Sequence, residues 1–259
     1  DLTKIINKRK KKIYHQDKKN IVGLEKSSVI PSDIASTAHA SDFVYNTTHD
    51  KLGCWTTEFS RKFYEDNGFF LKKGGLEICR KDDDARWEEI KRKVASGKAF
   101  GTNVRLISAS EAKEKFPLLE EESIRGAMWD PDAGLVTPRS QDVVSFAVET
   151  AKDKGALKTF TDTPAIDFEI ENGKVVGVKT DKGIIKTTKV VIASGIWGPL
   201  MGKKAGVPVP LMPLEHPLLF FGPLPEAQGA EDFLVYPLLR DQGNSAYVRD
   251  TGRLHGGML

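Results

Sequence analysis

With 259 residues, 39% of them hydrophobic and 8% aromatic, the chain can bury a sizeable core in one large or two ordinary domains. The formal charge of +3 comes entirely from residues 1–20, which carry eight Lys/Arg against two Asp and leave the remainder slightly acidic. Cys54 and Cys79 stand apart, without a Cys-x-x-Cys pair or a His at ligand spacing, which argues against a disulfide scaffold and against a metal centre.

The run Lys8-Arg9-Lys10-Lys11-Lys12 lies in a basic arm, residues 1–19, read as solvated and disordered. A nucleic-acid partner is not expected, because no aromatic residues interleave with these charges and no basic fold motif accompanies them. No apolar run approaches the roughly 18 residues of a membrane span, and no signal-peptide pattern opens the chain. The expectation is a soluble intracellular protein, cytoplasmic or, in a eukaryote, of the mitochondrial matrix, with its two cysteines as core thiols.

Ile21-Val22-Gly23-Leu24 reads as the second strand of a dinucleotide fold, and Glu25 at its tip can accept hydrogen bonds from a ribose hydroxyl. The glycine fingerprint that should precede it is missing, since residues 1–20 contain no Gly to bring backbone N–H groups up to a pyrophosphate. A small polar loop, Ser36-Thr37-Ala38-His39, follows. Leu52, Trp55, Phe59 and Phe63 then fall at helical spacing, with Gly68 as a left-handed stop.

Phe69–Leu71 and Leu76–Cys79 read as strands around Gly74-Gly75, and Trp87, Ile90 and Val94 mark a helix ended by Gly97. Ser108 with Glu111 makes a capping box for a helix that stops before Pro117. Ile124–Trp129 reads as a strand leading into the turn Asp130-Pro131-Asp132-Ala133-Gly134, and Pro138 suits the first position of a helix that ends near Gly155. A β-meander comes next: 165–170, the Asn172-Gly173 turn, 174–180, the Asp181-Lys182-Gly183 turn and 184–186. Val190–Ala193 reads as a buried parallel strand running into Ser194-Gly195-Ile196-Trp197-Gly198 at a cofactor crevice. Short strands are expected at 218–221, 233–236 and 246–249.

Taken in this order, the strand ending Leu24-Glu25-Lys26, the Ser36–His39 loop, Gly74-Gly75-Leu76-Glu77, Asp132-Ala133-Gly134 with Pro138, the meander and Val190–Trp197 resemble the flavin amine oxidoreductases. The wider group is the D-amino-acid oxidase and glycine oxidase superfamily, and the likeness is strongest to the dimethylglycine and sarcosine dehydrogenases and dimethylglycine oxidase. It covers about residues 20–255. The resemblance implies an α/β chain with α+β character: an incomplete FAD-binding nucleotide fold (20–67 and 137–205) interleaved with an antiparallel-sheet substrate domain (68–136 and 206–259). It also implies truncation at both ends, and it implies FAD, linked covalently through a histidine in this subgroup, the matching residue being His39.

By the same resemblance Glu25 is the ribose-binding acid, Ser36 and Thr37 line the flavin loop, and Gly195 and Trp197 form the strand-end turn beside the cofactor. His216 and Tyr247 match a histidine and a tyrosine of the substrate pocket, with Arg249 and Arg253 available for a substrate carboxylate. Each also has a plainer reading, such as a helix cap, a surface charge or core packing. The implied reaction is oxidation of a small N-methylated amino acid, in which an imidazole or a phenol holds the amine proton. Nothing in the chain corresponds to the folate-binding region of larger relatives. Two other readings stay open: a non-catalytic remnant that lacks stable flavin and acts as a binding module, and a nucleic-acid binder acting through the basic arm.

Overall fold

The computed structural model describes residues 21–227 and 234–251. The basic arm, Phe233 and Arg253 therefore lie outside the described residues. In chain order, β1 (Ile21–Leu24) and β2 (Phe43–Val44) precede α1 (Lys51–Asp66). The Asp50 carboxylate caps α1 by accepting from Gly53 N–H at 2.7 Å, and Gly68 ends the segment with a φ of +76°. The helix buries Cys54 and Arg61, while Leu52, Trp55 and Phe59 stay exposed.

The strands β3 (Phe70–Lys72) and β4 (Gly75–Arg80) flank Gly74 but join different sheets. Helix α2 (Asp84–Ala99) runs through Gly97 instead of stopping there. A Cβ at that position would meet Thr102 and Val104 at 2.6 and 2.8 Å, so this glycine serves packing, and Gly101 with a φ of +87° follows the helix end. Next come β5 (Arg105–Ser108), α3 (Ala109–Lys115), β6 (Ile124–Asp130) and β7 (Gly134–Val136). Ser108 Oγ caps α3 by accepting from Glu111 N–H at 3.1 Å. Helix α4 (Ser140–Asp153) starts beyond Pro138, which is therefore not its first residue.

The chain continues through β8 (Leu157–Phe160), β9 (Ala165–Glu171), β10 (Lys174–Thr180), β11 (Gly183–Lys186) and α5 (Gly198–Lys204) to β12 (Leu238–Asp241) and β13 (Ala246–Val248). The strand expected at 190–193 does not form, and Val191 is 90% exposed. A strand exists only through a ladder partner, and this segment has none among the described residues. For the same reason 218–221 makes only an isolated bridge, and 234–236 is irregular.

Two units are built from interleaved stretches of chain: 21–40 with 140–214, and 41–139 with 215–227 and 234–251. Residues 41–67 group with the second unit because β2 pairs with β7 and α1 packs on β3 and α2. Residues 206–214 group with the first, where Val209 lies against Gly202 of α5.

In the first unit β1 and β8 run parallel, with Ile21 opposite Leu157 and Leu24 opposite Phe160. The meander β9–β10–β11 is antiparallel, and its inner face packs Phe168 and Val178 on Met201 of α5. In the second unit a five-stranded sheet runs β13-β12-β4-β6-β5, parallel only between β12 and β4, beside a three-stranded sheet β2-β7-β3. Alternation along β4 puts Leu76 and Ile78 with Phe116 and Ala127 in one core, and Cys79 with Ile90 and Met128 in another beneath α2. The result is the mixed helix-and-sheet class anticipated from sequence.

Candidate functional site

The first unit carries the residues assigned to a nucleotide. Strand β1 ends where Glu25 N–H donates to the Phe160 carbonyl at 2.9 Å, extending the parallel pair by one bond. The Glu25 carboxylate then folds back to accept from Ser27 N–H at 2.8 Å, which fixes it at the strand tip and leaves its second oxygen for a ligand. Beside it, the Lys26 ammonium sits 4.7 Å from the centroid of the Trp197 ring. The fold thus brings the β1 tip next to the Gly195–Trp197 turn, although the two are far apart in sequence.

Ser36, Thr37 and His39 form a tight turn closed by its own backbone, with His39 N–H bonded to the Ser36 carbonyl at 3.2 Å and Ala38 N–H to that of Ala35 at 2.9 Å. The side chains of Ser36 and His39 are exposed and that of Thr37 is half-buried.

Gly195 has a φ of +52°, and a Cβ built on it meets nothing within 4 Å. Its backbone is therefore open to an approaching group. The hydroxyl of the neighbouring Ser194 is buried without a hydrogen-bond partner among the described residues. An open glycine next to an unsatisfied hydroxyl, with Glu25 and Trp197 nearby in the same unit, suits the polar parts of a dinucleotide. The described residues offer no glycine-rich loop for its pyrophosphate.

The second unit carries the described residues assigned to a substrate pocket, His216 and Tyr247. Strand register explains their assembly: Tyr247 of β13 lies opposite Arg240 of β12, which lies opposite Glu77 of β4, so the three share one face of the sheet. The Arg240 guanidinium stacks between Tyr45, 4.6 Å from its ring centroid, and Tyr247, 5.0 Å away. The exposed ring of His216 is 6.3 Å from that of Tyr247, and Phe43 meets Tyr247 edge-on at 6.1 Å. A cleft of about 360 Å³ opens beside them, lined by Phe43, Tyr45, Thr48, Ser60, Tyr64 and Arg240.

Tyr45 is held by the carbonyls of Leu76 and Leu238 at 3.1 and 3.0 Å, and burial pushes its phenol well above the usual range. A second, larger hollow of about 630 Å³, lined by Lys81, Lys113 and Glu120–Glu122, contains no aromatic residue and none of the assigned residues.

Arg240, which lines this candidate site, was not singled out from the sequence. Arg249, one of the two arginines singled out instead, is buried, and burial lowers its pKa; its guanidinium reaches the carbonyl of Asp250 at 3.4 Å. The overlooked signal is the hairpin itself, in which Arg240 and Tyr247 are equidistant from the Gly243-Asn244 turn and so face each other across it. The sequence carries that symmetry, but only once β12 is recognised as a strand.

The chain is similar to several proteins of known identity. Sarcosine dehydrogenase, mitochondrial, of Homo sapiens is 29% identical over 206 residues, 74% of this chain and 21% of its own length. Dimethylglycine dehydrogenase, mitochondrial, of Rattus norvegicus is 25% identical over 246 residues, 91% of this chain and 28% of its own. The chain therefore spans about a quarter of the length of these relatives. The crystal structure of L-proline dehydrogenase from P. horikoshii superposes with a TM-score of 0.74 at 27% identity, covering 92% of this chain and 62% of that one. Among the described residues no helix is long and apolar enough to cross a membrane. With residues 16–258 matching the family described as FAD dependent oxidoreductase, the chain belongs to that family, DAO.

Proposed function

We propose that this chain carries part of an FAD-dependent oxidoreductase acting on a small N-methylated amino acid of the sarcosine or dimethylglycine type. The observation that carries the reading is the cluster of His216, Tyr247 and Arg240, whose rings and guanidinium lie 5.0 to 6.3 Å apart on the second unit. It pairs a proton acceptor with a fixed cation, the two groups that an amino-acid substrate calls for.

Glu25, Ser36, Thr37, Gly195 and Trp197 would hold the dinucleotide, with His39 as its covalent attachment point. Bound FAD supplies the acceptor for the hydride that leaves a C–H bond next to the substrate nitrogen. Hydride loss needs a nitrogen lone pair, so the substrate ammonium must first give up its proton. The His216 imidazole takes that proton or relays it to solvent, to which it is exposed. The Tyr247 hydroxyl orients the amine. Arg240 pairs with the substrate carboxylate and fixes the orientation of the molecule beside His216 and Tyr247. The cleft walls, with three aromatic rings, exclude water from the apolar N-methyl groups.

The test is to express the chain, record its visible spectrum and precipitate it with acid. A yellow protein whose flavin stays with the pellet, and loses it in His39→Ala, supports the reading. Anaerobic bleaching by sarcosine or dimethylglycine identifies the substrate class. A colourless chain that takes up no added FAD overturns the reading in favour of a non-catalytic binding module.

A further inference from the structure

Beneath the aromatic cleft lies a buried ion pair that the proposed chemistry does not use. Lys93 of α2, 3% exposed, donates to both carboxylate oxygens of Glu77, fully buried on β4, at 2.8 Å each. Burying two charges this deeply is costly, and a pair of apolar residues of similar size serves stability as well or better. A role beyond stability is therefore worth seeking. The third member of the group is Arg240, whose Nη1 lies 3.8 Å from Glu77 Oε2, within ion-pair reach but beyond a hydrogen bond. Its Nε is buried and has no hydrogen-bond partner among the described residues.

The geometry has a clear electrostatic meaning. Lys93, Glu77 and Arg240 together carry one excess positive charge. Lys93 occupies both oxygens of Glu77, so the carboxylate cannot turn to take the guanidinium. Asp130, the other buried carboxylate near Tyr45, is engaged by the N–H groups of Asn46 at 2.9 Å and Asp132 at 3.1 Å. Arg240 is thus held between two tyrosine rings at the cleft wall, with its Nε unpaired and its charge only partly compensated by Glu77, which Lys93 shares.

We propose that the Lys93–Glu77 pair is a positioning device that keeps Arg240 available as the seat for a small carboxylate, by holding Glu77 away from it. The proposal rests on the reading of Arg240 as a substrate-facing residue. Lys93 and Glu77 touch no substrate. They act through Arg240 alone.

The test follows acetate binding to the whole chain by NMR, using the Arg240 Nε–H resonance, identified by its disappearance in Arg240→Lys. In Lys93→Met the freed Glu77 carboxylate closes on Arg240, and acetate affinity falls about tenfold. In the double variant Lys93→Met with Glu77→Gln the competitor is gone, and affinity returns to within about twofold of the parent. Unchanged affinity in Lys93→Met overturns the proposal, as does a double variant no tighter than the single.

If Lys93→Met does not fold, Lys93→Gln takes its place: a loss of affinity that Glu77→Gln reverses supports the device, and unchanged affinity in Lys93→Gln overturns it. N,N-dimethylethylamine, which lacks a carboxylate, should perturb parent and variants alike, and a Lys93-dependent response to it also counts against the proposal. Failure of the underlying reading looks different, because then acetate leaves the Arg240 resonance of the parent chain unmoved.

Discussion

The Tyr45 hydroxyl lies 3.0 Å from the Leu238 carbonyl, joining positions 193 residues apart, and 3.1 Å from the Leu76 carbonyl on the neighbouring strand. One phenol thus ties β4 to β12 at the edge of the aromatic cleft, and its ring forms one side of the Arg240 sandwich. Replacing it with Phe keeps the ring and removes the tie. Tyr45→Phe should lower stability by about 1–2 kcal/mol, read as a lower urea midpoint with an unchanged slope. A changed slope would mean that the hydroxyl also controls how compactly the unit folds.

Gly74 has a φ of +83°, and a Cβ there would lie 2.1 Å from the Trp129 ring. Both the backbone and the neighbouring indole require glycine. Gly74→Ala should therefore cost about 2–4 kcal/mol, combining left-handed strain with overpacking. Thermal melting checks the loss, and a shifted tryptophan emission checks that the Trp129 ring is what moves.

Asp132 accepts from Lys72 and, at 2.7 Å, from Asn103 Nδ2. Burial pushes its carboxyl up, but these hydrogen bonds together with the charges of Lys72 and Arg61 outweigh burial and bring it below the ordinary value. A carboxylate lowered on folding adds stability that is fully present above its unfolded pKa, about 3.9, and is lost as pH falls through the folded value. The gap in melting temperature between the parent and Asp132→Asn should hold from neutral pH down to about 5 and narrow below about 4. A gap that stays constant to acid pH would rule out the carboxylate charge as its source.

His216 and Tyr247 face each other at 6.3 Å. If they handle the amine proton, His216→Ala and Tyr247→Phe should each slow flavin reduction by about a hundredfold in flavin-loaded protein. Flavin content should not change in either, because the residues proposed to hold the cofactor belong to the other unit. Turnover at the parental rate in both variants removes the pair from the reaction.

Local chemistry was well recorded in the sequence. Asn172-Gly173 makes its hairpin turn with φ of +50° and +73°, Gly68 and Gly155 follow helix ends in the left-handed region, and Ser108 caps its helix. These features depend on steric limits and hydrogen bonds within a few residues, so a short window of sequence is enough to see them. The ordered set of motifs was long enough to mark the family, which residues 16–258 match.

What needs a distant partner was not legible. The apolar run at 190–193 looks like a buried strand, yet it has no neighbour to pair with among the described residues. The strands β5, β8 and β12 are four residues each, too short to show a period, and are strands only because β6, β1 and β4 lie beside them. The same holds for chemistry. Lys93, Glu77, Arg240 and Tyr247 span more than half of the chain, and only the register of β4, β12 and β13 sets their charges and rings side by side. A sequence specifies which groups exist and how each backbone segment bends, but electrostatic coupling depends on through-space distance, which the tertiary structure alone decides.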